Sequence, residues 1–305
     1  MAHISTPGTF TLALDADMPS GLIPLATDGL HLTIVGIGGE QRITLNAADR
    51  LFDIGASAVR DAPDGSTSLT LGNNITLIGH ITGHNNALIR VRDSGRLYML
   101  EGSQIRGHTS TTTSVDSGHG AAVHIAAHGT FTMRGGTITA NRASGVTGTN
   151  GAGGVFMADA DTAGFYMEGG SITGNYRGTG TTAADIFFGQ AVNRFTLSGS
   201  AAIGNLVLQG STTGSPIITV GAGTGVVQYL YLRASQANAS DVADIWTGRG
   251  TLLQAAPNHT LTDTNVAARF PMIRFIGNAE GGQDLNPYYG IVIDESGFGV
   301  VGEVD

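Results

Sequence analysis

The segment Phe131-Thr-Met-Arg-Gly-Gly-Thr-Ile-Thr-Ala-Asn141 recurs as Phe165-Tyr-Met-Glu-Gly-Gly-Ser-Ile-Thr-Gly-Asn175. Diverged copies run from Leu97 to His108 and from Phe195 to Asn205, so the copies begin 34, 34 and 30 residues apart. Inside each copy the apolar residues alternate with small or polar ones: Phe131 and Met133 with Thr130 and Thr132, Phe165 and Met167 with Gly164 and Tyr166. Period-two alternation marks strands. Short strands repeated at a near-constant spacing mark one supersecondary unit stacked on itself, a solenoid.

A second strand precedes each copy: Leu88-Ile-Arg-Val91, Ala122-Val-His-Ile125, Gly154-Val-Phe-Met157 and Asp185-Ile-Phe-Phe188. If Ile89/Val91, Val123/Ile125, Val155/Met157 and Ile186/Phe188 point inward, each pair lands on its neighbour one coil away, about 4.8 Å along the axis. The expected fold is therefore all-β: a right-handed parallel β-helix. Met99, Met133, Met167 and Leu197 form one inward stack, more naturally core than a cofactor site. The Gly-Gly pairs at 135–136 and 169–170 read as corners with positive φ. Asn141, Asn175 and Asn205, with His108 at the same place in the earliest copy, read as an interior ladder whose amides bond the next coil. Arg134 and Glu168 share a repeat position and are expected to pair across strands. Less regular strands on both sides, from His31-Leu-Thr-Ile-Val-Gly36 to Val226-Val-Gln-Tyr-Leu-Tyr-Leu232, extend the solenoid to about 8–10 coils. The expected organisation is a β-helix over residues 1–232 and a capping region over 233–305, because an open coil end exposes unpaired strand edges. Ser235–Trp246 could hold one short helix.

Composition narrows the function. The 305 residues include 47 glycines, 8 prolines and no cysteine, which suits tight turns between short strands and rules out disulfides and thiolate zinc sites. All 15 basic residues are arginine, and the net charge is -9, so nucleic acid is not expected as a partner. No apolar run approaches the ~20 residues of a spanning helix, so membrane insertion is not expected. Met1-Ala-His-Ile-Ser-Thr-Pro-Gly8 has neither the charged nor the apolar region of a signal peptide.

The strings Gly129-Thr-Phe-Thr-Met133 to Asn141, and Gly153-Gly-Val-Phe-Met157 followed by Phe165 to Asn175, resemble the repeats of glycine-rich surface proteins of spirochaetes and gut bacteria. The lead-in Leu32-Thr-Ile-Val-Gly-Ile-Gly-Gly-Glu-Gln-Arg-Ile-Thr-Leu45 and Leu71-Gly-Asn-Asn-Ile-Thr-Leu-Ile-Gly79 are similar too, and the likeness covers roughly residues 30–205. It implies a pectate-lyase-like β-helix, secreted or displayed at the cell surface and adhesin-like, in a family mostly without assigned activity.

Candidate chemistry is sparse. Asp159 and Asp161 alternate by two near Asp185 one coil on. Three carboxylates could hold calcium or serve a polysaccharide-cleaving reaction, or they could simply be solvated loop residues. No other cofactor is implied. His-x-x-x-His occurs at 80/84 and 124/128; on an extended strand those rings stand about 13 Å apart, too far to share an ion bound at about 2.1 Å. Arg90, His124, Phe156 and Phe187 fall at matched outward positions, one per coil. Such a row could stack on sugar rings and bond them, unless a loop folds over it. An ice-binding threonine ladder is broken where Thr132 and Thr196 flank Tyr166. Gly221-x-Gly-x-Gly225 precedes no helix, so a phosphate loop is not expected there.

The resulting expectation is a non-catalytic, secreted or surface-exposed module that binds a glycan or a host or environmental protein. The alternatives are a polysaccharide lyase or hydrolase on the same scaffold, and a structural protein that self-associates into fibres.

Overall fold

The computed structural model describes residues 6–55, 66–113, 122–146, 150–157, 162–189, 194–210, 216–234, 246, 251–276 and 289–303. Among the described residues three parallel ladders run between Gly8 and Ile276, and successive coils contribute one strand, or half of a bent one, to each. The first ladder joins Gly8–Leu14, Leu30–Gly36, Ser68–Leu71, Arg96–Met99, the starts of Thr130–Thr139 and Gly164–Ile172, Arg194–Gly199, Ile217–Gly223 and Thr251–Ala255. The second passes from Met18–Ser20 and Gln41–Leu45 to the start of Val226–Ala234. The third passes from Ile23–Leu25 and Phe52–Ile54 to Ile273–Ile276. The chain is a parallel β-helix.

Register is set by the alternation seen in the sequence. Met99, Met133, Met167 and Leu197 face one another across successive coils and are fully buried. So are Ile89/Val91, Val123/Ile125, Val155/Met157 and Ile186/Phe188. Phe131, Phe165 and Phe195 stack with ring centroids 4.9 and 5.5 Å apart. Each such pair adds roughly 0.5–1.5 kcal/mol beyond its burial.

The second glycine of each Gly-Gly pair takes positive φ, 83° at Gly136 and 81° at Gly170. A Cβ at 170 would lie 2.7 Å from the Gly136 carbonyl oxygen of the coil beside it. The corners touch backbone to backbone, and only glycine meets both demands.

The expected end of the solenoid at residue 232 is too early. Thr251–Ala255 and Ile273–Ile276 pair in parallel with Ile217–Gly223 and Val226–Ala234, forming a ninth coil inside the supposed cap. Closure comes afterwards, from the antiparallel pair Tyr289–Ile293 and Gly299–Glu303, whose second strand also pairs antiparallel with Thr251–Ala255. The helix Asp263–Arg269 begins at a capping box between Thr262 and Asn265. Its last residue, Arg269, is 4% exposed and donates to the carbonyls of Leu197, Gly221 and Gly225 at 3.1, 2.7 and 2.8 Å. One guanidinium thus satisfies three carbonyls at the end of the stack. Of the expected helix at 235–246 only Trp246 is described; the rest lies outside the described residues. Among the described residues no helix is long and apolar enough to cross a membrane.

Candidate functional site

The row expected to bind ligand occupies the outer side of the third ladder, in the register Asp53, Arg90, His124, Phe156, Phe187, Val207, Tyr231. It is covered. His124, Phe156 and Phe187 are 1, 1 and 3% exposed. Phe156 and Phe187 stack at 5.5 Å and form a small outer core with Ala152, Ala184, Val207 and Ile276, against which Tyr231 packs. Large apolar rings outside a β-helix are stable when the segments leading into their strands lie over them, as Ala152 and Ala184 do here. Arg90 is committed as well: it donates to both Asp53 oxygens at 3.1 and 2.6 Å. Arg92 adds a third bond at 3.2 Å, and Arg50 approaches Asp53 within 4.0 Å. Burial alone would push Asp53 up, but the guanidiniums of Arg90 and Arg92 outweigh it and hold the carboxyl below its ordinary range. Asp53 and Arg50 are buried and Arg90 and Arg92 half-buried, so the charges of this cluster are engaged with one another.

Asp159 and Asp161 lie outside the described residues. Asp185 is not available to calcium: it is fully buried and serves the interior polar ladder. One of its oxygens accepts from the backbone and side-chain nitrogens of Asn175, both at 2.9 Å. The other accepts from those of Asn205, at 2.9 and 3.1 Å. Burial pushes its pKa up, against the pull of these four donors. The ladder continues as expected through Asn141, whose two nitrogens donate to the Asn175 side-chain oxygen at 3.2 and 3.0 Å. His108 donates its backbone N–H to the Asn141 side chain at 3.1 Å and heads the ladder. Asp185 inserted between Asn175 and Asn205 is the one member not foreseen. Its position follows from its place at the start of a third-ladder strand, beside the bend.

The His80 and His84 rings are 4.1 Å apart, far closer than an extended strand allows. Residues 81–82 form a turn and Gly83 has φ 90°, so the chain doubles back and brings the rings together. Burial, then the neighbouring His80, lowers the His84 pKa. Among the described residues no group of three or more His, Cys, Asp or Glu side chains gathers in a way that could hold a metal.

A partly open face lies on the first ladder. One outward file reads Thr9, His31, Ser68, Arg96, Thr130, Gly164, Arg194, Ile217; the next reads Thr11, Thr33, Thr70, Tyr98, Thr132, Tyr166, Thr196, Thr219. Arg96 and Arg194 are exposed, and Tyr98 and Tyr166 are half-buried. Thr132 is 7% exposed between the two tyrosines. A Cβ at 164 would lie 3.1 Å from Tyr166 Cε2 and 3.5 Å from its hydroxyl oxygen. The Tyr166 ring therefore leans back over the glycine and lies along the sheet. Neither file carries a carboxylate. The adjacent file contains Glu168, which accepts from exposed Arg134 at 3.0 Å, the expected cross-strand pair.

No protein-family model matches the chain, and comparison with curated proteins and with solved structures finds no match. The class defined by fold is the parallel β-helix.

Proposed function

We propose that the chain is a non-catalytic binding module, secreted or displayed at the cell surface in the manner of an adhesin. Its ligand is an extended glycan lying along the outer side of the first ladder. The observation that carries this reading is the Tyr166 ring resting on Gly164, which leaves an aromatic face for a sugar ring. Tyr98 offers a second ring two coils away, about 9.6 Å, close to two pyranose units of an extended chain. Beside them, half-buried Thr196 supplies a hydroxyl that donates and accepts. A glycan-array screen with calcium and with chelator, followed by product analysis, tests the reading. Selective binding without cleavage, lost on Tyr98→Ala/Tyr166→Ala, is the expected result. Cleavage would favour a polysaccharide-active enzyme, and silence across the array would favour a protein partner.

Self-association has one observation of its own. In the first coil Phe10 is 36% exposed, whereas Leu32 directly beneath it is 3% exposed. The first strand Gly8–Leu14 pairs on one edge only, with Leu30–Gly36, among the described residues. Pairing of that open edge with a second copy would appear as a concentration-dependent dimer in light scattering and would be abolished by Phe10→Arg.

A further inference from the structure

The first-ladder face carries a charge pattern opposite to that of the whole chain. The protein has a net charge of -9, yet its two outward files hold Arg96 and Arg194 and no carboxylate. Neither arginine takes part in an ion pair among the described residues. Both lie in one file, separated by Thr130 and Gly164. Three coil steps place them about 14 Å apart along the axis, one at each end of the Tyr98–Thr132–Tyr166–Thr196 platform. In the file next to that platform, among the described residues, Glu168 is already engaged by Arg134 at 3.0 Å. Isolated guanidiniums facing solvent on an otherwise acidic protein attract anions, and their planar forks suit carboxylate or sulfate groups.

From this arrangement we infer that the ligand is an anionic polysaccharide. Its rings stack on Tyr98 and Tyr166 while two of its acidic groups, about three coils apart, pair with Arg96 and Arg194. The inference rests on the reading of this face as the glycan site and goes further by naming the charge class of the ligand and the residues that select it. The tyrosines recognise any ring with an apolar face. The arginines discriminate, because a neutral chain leaves them merely solvated whereas an acidic one brings them a partner.

The test compares three probes on the full chain: a uronic-acid polysaccharide such as alginate, a sulfated polysaccharide, and a neutral β-linked glucan. Binding is measured at low and at physiological salt for the wild type, Arg96→Gln/Arg194→Gln and Tyr98→Ala/Tyr166→Ala. The expected result is preference for the uronate or the sulfated chain, weakened by salt. The arginine variant should bind it roughly five- to tenfold more weakly without change toward the neutral glucan. The two acidic probes separate carboxylate from sulfate as the source of charge. Equal binding of neutral and acidic chains, with the arginine variant unchanged, would overturn the inference and leave the glycan site standing. Loss of all binding in the tyrosine variant only, with no charge preference, would do the same. Absence of binding to all three probes would overturn both. Circular dichroism and thermal unfolding confirm that the surface substitutions leave the coils folded.

Discussion

Asn175 donates both its backbone and its side-chain N–H to the same carboxylate oxygen of Asp185, each at 2.9 Å, in the fully buried bend of the β-helix. Asn205 does the same to the other oxygen. A carboxylate here accepts four bonds where an asparagine could offer one oxygen.

Asp185→Ala should remove the buried acceptor of both backbone N–H groups and of the Asn205 amide, while the Asn175 amide keeps the carbonyls of Ile138 and Thr173. Loss of about 3 kcal/mol is expected, read as a lower midpoint in urea unfolding. Asp185→Asn, which keeps one acceptor, should lose less than the alanine variant.

His108 makes stability depend on pH. It is fully buried, its Nδ1 accepts from the His80 backbone N–H at 3.2 Å, and its Nε2 lies 2.9 Å from the Asn86 carbonyl. Nε2 therefore carries the proton. Burial pushes the pKa from 6.5 down to about 4. Because the folded value lies below the unfolded one, stability is intact above pH 6.5 and is lost as the pH falls toward 4. Between pH 7 and pH 5 the loss is about 2 kcal/mol, and His84, shifted the same way, adds to it. His108→Asn, which extends the asparagine ladder by one coil, should flatten this dependence in urea titrations at the two pH values.

The end of the stack depends on Arg269. Replacing it with alanine strands the carbonyls of Leu197, Gly221 and Gly225 and should lower stability by about 3 kcal/mol. Lysine, with a single point of donation in place of a planar fork, should recover only part. Thermal unfolding of the two variants beside wild type checks this.

Gly164 should matter for binding more than for folding. A Cβ there comes within 3.1 Å of the Tyr166 ring, so Gly164→Val should lift the ring off the sheet. Glycan affinity is expected to fall about as far as in Tyr166→Ala, with stability changed by about 1 kcal/mol or less. Isothermal titration and thermal unfolding on one preparation separate the two effects.

The coils were legible because one rule, inward against outward with period two, applies at every level; Met99, Met133 and Met167 obey it without help from distant segments. The asparagine bend was legible because the same residue recurs at the same place in the repeat. What depends on chain paths between coils was not. Phe156 and Phe187 point away from the axis as expected, but the segments ending in Ala152 and Ala184 bury them, and those segments carry no period. The closeness of His80 and His84 turns on the backbone at Gly83, which spacing alone does not reveal. Residues 251–276 lack the Gly-Gly and Asn wording of the repeat, so the ninth coil looked like cap. The tyrosine face was visible in the sequence as an interruption of a threonine ladder, and its meaning emerged only with Tyr166 lying over Gly164.

The most direct measurement is affinity electrophoresis of the wild type and of Tyr98→Ala/Tyr166→Ala through gels containing the acidic polysaccharide. Retardation of the wild type that disappears in the double variant is the expected result. Equal retardation of both proteins would contradict a binding site on the first-ladder face.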